Sequence, residues 1–217
     1  MTKSILSVSS ILISLLLGSF SLWAEKKRKP NIVFFLVDDL GQRDVGCYGS
    51  QFHETPAIDQ LAKEGMLFAD AHSPSTVCTP TRYSVLTGRM AFRLNYKGVF
   101  TGVGGPCLIS PDRLTLPGML RNNGYETAMF GKWHVGLTAF DKKGKPINRN
   151  GLDAVRLVDY SRPIKGGPVD RGFDHFFGTA SCPTTDWLYA YMDGDRIPVP
   201  PTRIVDRGPL PKHPWAA

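Results

Sequence analysis

Apolar residues in this chain come in short runs whose spacing changes from one run to the next. Asn31-Ile32-Val33-Phe34-Phe35-Leu36-Val37 is continuous, β-branched and aromatic, and predicts a strand buried on both faces. It stops abruptly at Asp38-Asp39. Thr55 to Gly65 has a helical period instead: Thr55 as cap, Pro56 at the first position, Ile58, Leu61 and Ala62 as an apolar stripe, and Gly65 as the stop. Met66-Leu67-Phe68-Ala69 predicts a short strand. A loop then leads into a short helix, with Thr79 as cap, Pro80 at its first position and Gly88 just past its end. Leu114 to Gly124 predicts another short helix. Tyr125 to His134 predicts a strand on which Ala128, Phe130, Lys132 and His134 share one face, because side chains repeat every two residues. Strand, helix, strand, helix in this order predicts an α/β sheet.

Between these elements lie stretches without a period. Arg89–Pro111 is rich in glycine and reads as loop. Lys142-Lys143-Gly144-Lys145 and Arg162–Pro168 read as exposed turns. Ile197–Ala217 holds many prolines and no amphipathic pattern. The chain begins with Lys3, an apolar serine-dotted run from Ile5 to Phe20, and Ser21-Leu22-Trp23-Ala24. This predicts a secretory signal over residues 1–24, cleaved after Ala24, with no stable membrane insertion afterwards; the alternative is an uncleaved anchor, against which the serines inside the run argue. Residues 25–217 are expected to form the amino-terminal part of one domain.

Composition is that of an ordinary globular chain, 42% hydrophobic and 21% charged, with neither a repeat nor a low-complexity tract. The formal charge is +7, part of it in the run Glu25-Lys26-Lys27-Arg28-Lys29 that follows the leader. A basic surface attracts sulfated polymers and nucleic acid alike, but the chain lacks the motifs of a nucleic-acid reader. Export places the four cysteines, Cys47, Cys78, Cys107 and Cys182, where disulfides could form. Their spacing does not suit a zinc cluster.

Three places carry candidate chemistry. Asp38-Asp39 at the carboxyl end of the predicted strand are either an acidic turn or hard oxygen ligands for Ca²⁺ or Mg²⁺. Cys78 is a buried hydrophobe, half a disulfide, or a reactive group at a helix start, where backbone N–H groups and the helix dipole favour an anion. Arg82 lies one turn on, on the same side of the helix. Lys132 and His134 at a strand end are either a solvated rim or part of a site.

The run Cys78-Thr79-Pro80-Thr81-Arg82, followed by Val85-Leu86-Thr87-Gly88, resembles the first signature of the sulfatase family. Thr76 departs from it, standing where the family usually has a smaller residue. Gly124-Tyr125 through Gly131-Lys132-Trp133-His134 resembles the second signature, and the aspartate pair resembles the family's opening. Arg171–Gly178 resembles the family's next strand, with aromatic residues on its interior face; Ser181, Asp186 and Trp187 follow it as rim or packing residues. The resemblance covers Pro30 to about Gly178. It implies an α/β, alkaline-phosphatase-like sandwich with a large, mostly parallel sheet flanked by helices, incomplete in this chain.

The resemblance also implies an activity, the hydrolysis of aryl or carbohydrate sulfate monoesters. Cys78 would be oxidised to formylglycine by a formylglycine-generating enzyme, and its hydrate would be the nucleophile. Asp38 and Asp39, with Cys78, would hold Ca²⁺ or Mg²⁺. Arg82 and Lys132 would add positive charge or, for Arg82, orientation, and His134 would hydrogen-bond the hydrate and take a proton. The partner would be a sulfated small molecule or polysaccharide, and the compartment periplasmic, secreted or lysosome-like. The alternatives are a phosphomonoesterase or phosphonate hydrolase of the same superfamily, whose nucleophile is usually Ser or Thr, and a non-catalytic secreted fragment. The family's second metal-ligand pair, and its further Lys and His, are not found; Lys212-His213 follows no buried strand. The chain therefore reads as the amino-terminal part of a sulfatase, expected to be inactive as it stands.

Overall fold

The computed structural model describes residues 29–100, 103–182 and 187–204. The expected leader, Asp186, Lys212 and His213 lie outside them. The chain divides into two compact units between Ile58 and Asp59.

In the first unit, Ile32–Val37 forms no strand, and its six side chains are 37% to 81% exposed. This corrects the buried strand expected there. The composition is that of a strand, but a strand exists only by pairing, and the described residues offer this segment no ladder. The chain bends at Asp38 and Asp39, with Asp39 left-handed at φ 57°. Two 3₁₀ turns follow, Gln42–Asp44 and Gly46–Tyr48. The Asp44 carboxylate accepts the Gly41 amide at 2.7 Å, and Thr55 Oγ1 accepts the Gly46 amide at 2.7 Å. Helix α1 spans Pro56–Glu64, starting in the first unit and continuing into the second, as its proline start and glycine stop predict. Its stripe residues Ile58 and Leu61 are exposed.

The second unit holds the core. Helix α2 spans Cys78–Thr87 and α3 spans Leu116–Asn122. Strand β1 is Ala128–Lys132, α4 is Leu152–Val155, β2 is His175–Thr179 and β3 is Tyr191–Asp193. Among the described residues there is one sheet, ordered β1-β2-β3. β1 and β2 run parallel, pairing Ala128 with His175 through Lys132 with Thr179, and β3 is antiparallel to β2. Met66–Ala69 forms no strand. Thr115 caps α3, its hydroxyl accepting the Gly118 amide at 3.1 Å.

Trp133, Val135 and Leu137, just past β1, are wholly or almost wholly buried with Tyr83, Ile109, Phe176 and Met192. The Trp133 indole keeps its polar edge satisfied by donating to the Gly136 carbonyl at 2.8 Å. Phe176 faces this core whereas Phe177 is half exposed and stacks on Tyr191, so one aromatic of β2 fills the interior and the next does not. Lys142–Lys145 is a turn as expected. Arg162–Pro168 is not simply exposed: Lys165 bridges to Thr138, and Ile164 and Pro168 are buried.

Candidate active site

Cys78 is the first residue of α2, half-buried, at the positive end of a ten-residue helix. The loop before it is tied to the helix by Thr81, whose hydroxyl donates to the Ser75 carbonyl at 2.9 Å and lies 3.3 Å from Ser73 Oγ. Gly88 ends the helix in the left-handed region, with its N–H on the Ser84 carbonyl, as expected. Thr79 does not cap the helix. Val77 occupies the cap position, and Thr79 lies inside the first turn with no exposed surface.

The buried side chains of α2 reach the second candidate segment through its main chain. Thr79 Oγ1 donates to the His134 carbonyl at 2.7 Å, and the Arg82 guanidinium donates to the Lys132 carbonyl. Thr79 and Arg82 stand three apart on one helix face, so one face grips alternate carbonyls of one segment. Arg82 is only 8% exposed, and a buried cation requires such partners.

Lys132 and His134 do not leave one strand face together. β1 ends at Lys132, and His134 is turned into the left-handed region at φ 58° and is 2% exposed. Parallel pairing still continues one step past the strand, with the Trp133 amide on the Thr179 carbonyl and the His134 amide on the Ala180 carbonyl, both at 3.0 Å. Lys132 is half-buried. His134 Nε2 lies 2.7 Å from the Phe100 carbonyl. A carbonyl only accepts, so Nε2 carries the hydrogen and Nδ1 is the basic nitrogen of the neutral ring.

Phe100 joins the site through its main chain, its carbonyl on His134 and its amide on Thr79. It contributes main-chain atoms from an aperiodic loop, which leave no mark in side-chain patterning. Ser181 is buried, its carbonyl accepting the Thr179 hydroxyl at 2.9 Å, and Trp187 is exposed. Asp38 and Asp39 are exposed in the first unit. Among the described residues no group of three or more His, Cys, Asp or Glu side chains is placed to hold a metal ion. The two carboxylates have the hard-oxygen chemistry that Ca²⁺ and Mg²⁺ prefer, but are only part of the roughly six to eight oxygens that Ca²⁺ takes.

A family model described as Sulfatase matches residues 30–194. The chain belongs to the sulfatase family. It is 42% identical to mouse arylsulfatase G over 163 residues, covering 74% of this chain and 29% of that protein. With mouse steryl-sulfatase it shares 31% identity over 188 residues, 84% of this chain and 27% of that one. A solved Bacteroides thetaiotaomicron structure, from work on glycosaminoglycan metabolism, superposes with a TM-score of 0.64 at 31% identity, covering 78% of this chain and 32% of that one. The PsFucS1 sulfatase from Pseudoalteromonas sp. gives 0.52 at 31% identity, covering 75% and 28%. The fold is that of the sulfatases, alkaline-phosphatase-like, and the small sheet here is part of it. The chain spans under a third of the length of each of these relatives.

Proposed function

We propose that the protein carrying this chain hydrolyses sulfate monoesters, of aryl or carbohydrate alcohols, at a site built on Cys78, Arg82, Lys132 and His134. The observation that supports this reading most is the grip of α2 on the second signature: Thr79 and Arg82 bond the carbonyls of His134 and Lys132. It brings the nucleophile's helix and the two polar side chains into one assembly, although they lie about fifty residues apart.

Cys78 would be converted by a formylglycine-generating enzyme. The hydrated aldehyde supplies two hydroxyls on one carbon: one attacks sulfur and displaces the alcohol or phenol, which leaves with a proton, and the other loses its proton so that the C–O bond to sulfate breaks and the aldehyde returns. Lys132 and Arg82 place positive charge against oxygens that become more negative as the ester bond breaks. His134 is held by Phe100 with its hydrogen on Nε2, so Nδ1 is the atom to take a proton. Asp38 and Asp39 would hold a hard divalent cation, Ca²⁺ or Mg²⁺, which when bound neutralises sulfate charge. The leader over residues 1–24 would export the protein to a periplasmic, secreted or lysosome-like compartment. Among the described residues no helix is long and apolar enough to cross a membrane.

The test is turnover of a nitrophenyl sulfate by the full-length protein, with mass spectrometry of the Cys78 peptide. Turnover that disappears in Cys78→Ala, together with an aldehyde at that position, is the expected result. Undiminished hydrolysis by Cys78→Ala would overturn the reading.

A further inference from the structure

Thr79, Phe100 and His134 close a ring of three buried hydrogen bonds. The Thr79 hydroxyl donates to the His134 carbonyl at 2.7 Å, and accepts the Phe100 amide at 3.4 Å. The Phe100 carbonyl in turn stands 2.7 Å from His134 Nε2, which donates to it. Each group uses the capacity its chemistry allows, since a hydroxyl has one hydrogen and two lone pairs. All three bonds are buried, where hydrogen-bonded chains polarise one another and a missing member leaves the rest unsatisfied.

We propose that Thr79 is a positioning residue for His134. Its hydroxyl sets the ring from both ends, holding the His134 main chain directly and the imidazole through Phe100. His134 needs such support because a non-glycine residue at φ 58° persists only where its surroundings fix it. The position next to the nucleophile gives the arrangement its use. Thr79 follows Cys78 directly in the α2 first turn, so its hydroxyl links the nucleophile's turn to the His134 main chain, beside the bond of the His134 amide to Ala180. The inference rests on the sulfate ester reading above, and gives a role to a residue whose sequence context suggests only a helix cap.

The test compares Thr79→Val, which keeps the shape and loses the hydroxyl, with Thr79→Ser, which keeps the hydroxyl, in the full-length protein. Because Thr79 lies beside the modified residue, kcat is expressed per molecule carrying the aldehyde, counted by mass spectrometry. Thr79→Val is expected to lower kcat by about ten- to hundredfold, the scale of loss when a catalytic group is displaced by up to about 1 Å. KM should stay within about twofold, because the substrate's own contacts are unchanged. Thr79→Ser should restore kcat to within about threefold of wild type.

An unchanged kcat per aldehyde in folded Thr79→Val overturns the inference while leaving the functional reading intact. If Thr79→Val does not fold, Thr79→Ser decides: a folded serine variant that has lost kcat as described overturns it, and one that keeps kcat supports it. A wild-type protein without turnover overturns the functional reading, and this inference with it.

Discussion

The Arg82 guanidinium donates to the main-chain carbonyl of Lys132, 50 positions further along the chain. The bond ties α2 to the last residue of β1, the point from which the Lys132 side chain departs. Lysine would keep the charge, but not the planar fork that lets one nitrogen hold a carbonyl while others point elsewhere. In the full-length protein, Arg82→Lys is expected to lose turnover by at least about tenfold and stability by about 1.5–3 kcal/mol, the range for a hydrogen bond to a charged group. Kinetics and urea unfolding on the same preparation check this. Wild-type values in both would show that the bond to Lys132 has no consequence.

If Asp38 and Asp39 are metal ligands, a chelator should lower turnover of the full-length protein, and added Ca²⁺ or Mg²⁺ should restore it. Asp39→Ala should lower the cation affinity read by calorimetry, because one hard, charged oxygen ligand is lost. Activity insensitive to chelator, with unchanged calorimetry in Asp39→Ala, would reduce the pair to an acidic turn.

Asp174 gives the fold a dependence on acid. Its carboxylate accepts the Thr127 amide at 2.8 Å and the Thr127 hydroxyl at 2.9 Å, and Arg121 lies 3.0 Å away. The amide bond foremost, then the hydroxyl and the Arg121 charge, hold its pKa below the usual carboxylate value. A lowered folded pKa stabilises the protein above the unfolded value, near 4, and that stability disappears as pH falls through the folded one. Urea midpoints of wild type and Asp174→Asn should therefore differ at pH 6 and converge below about pH 4. A gap that stays constant across this range would assign the effect to packing.

Some of this was legible from side-chain pattern, and the reasons are local. α1 follows from Pro56 and Gly65, and the end of α2 from Gly88, because a proline start and a left-handed glycine stop act within one turn. The strand at β1 was legible from its period, but its end was not: His134 leaves the strand because Thr79, Phe100 and Ala180 hold its backbone and ring, and none of these is near it in sequence. Ile32–Val37 shows the converse. Its apolar run is strong, yet burial on two faces needs neighbours that composition cannot supply.

β1 and β2 meet closely at Gly131 and Gly178, which pair across the sheet. Gly131 has φ 105°, and a Cβ on Gly178 would stand 1.8 Å from the Gly131 carbonyl oxygen. Backbone, not a flexible side chain, blocks that space. Gly178→Ala is expected to cost about 2 kcal/mol or more in urea unfolding, as overpacking against backbone does. Because Gly131 immediately precedes Lys132, turnover should fall as well. A fully stable Gly178→Ala would mean that the two strands can separate without penalty.

Six consecutive apolar side chains from Ile32 to Val37 are exposed, with Phe35 at 81%. A contiguous surface of this kind, on a backbone without strand partners among the described residues, favours association through new edge pairing. Residues 25–217 expressed alone are therefore expected to self-associate at neutral pH, visible by light scattering and by binding of a hydrophobic dye. Phe35→Lys should reduce both without lowering the urea midpoint, because in this chain the side chain leaves water only when molecules associate. In a protein of the relatives' length the expected sign is opposite. There, if neighbouring strands cover the segment, the same lysine should lower the unfolding free energy by about 2 kcal/mol or more, and the midpoint with it, since an unpaired charge is costly inside. A Phe35→Lys variant that still scatters like the parent would rule out this segment as the sticky surface. An unchanged midpoint in the longer protein would place Phe35 in water there too.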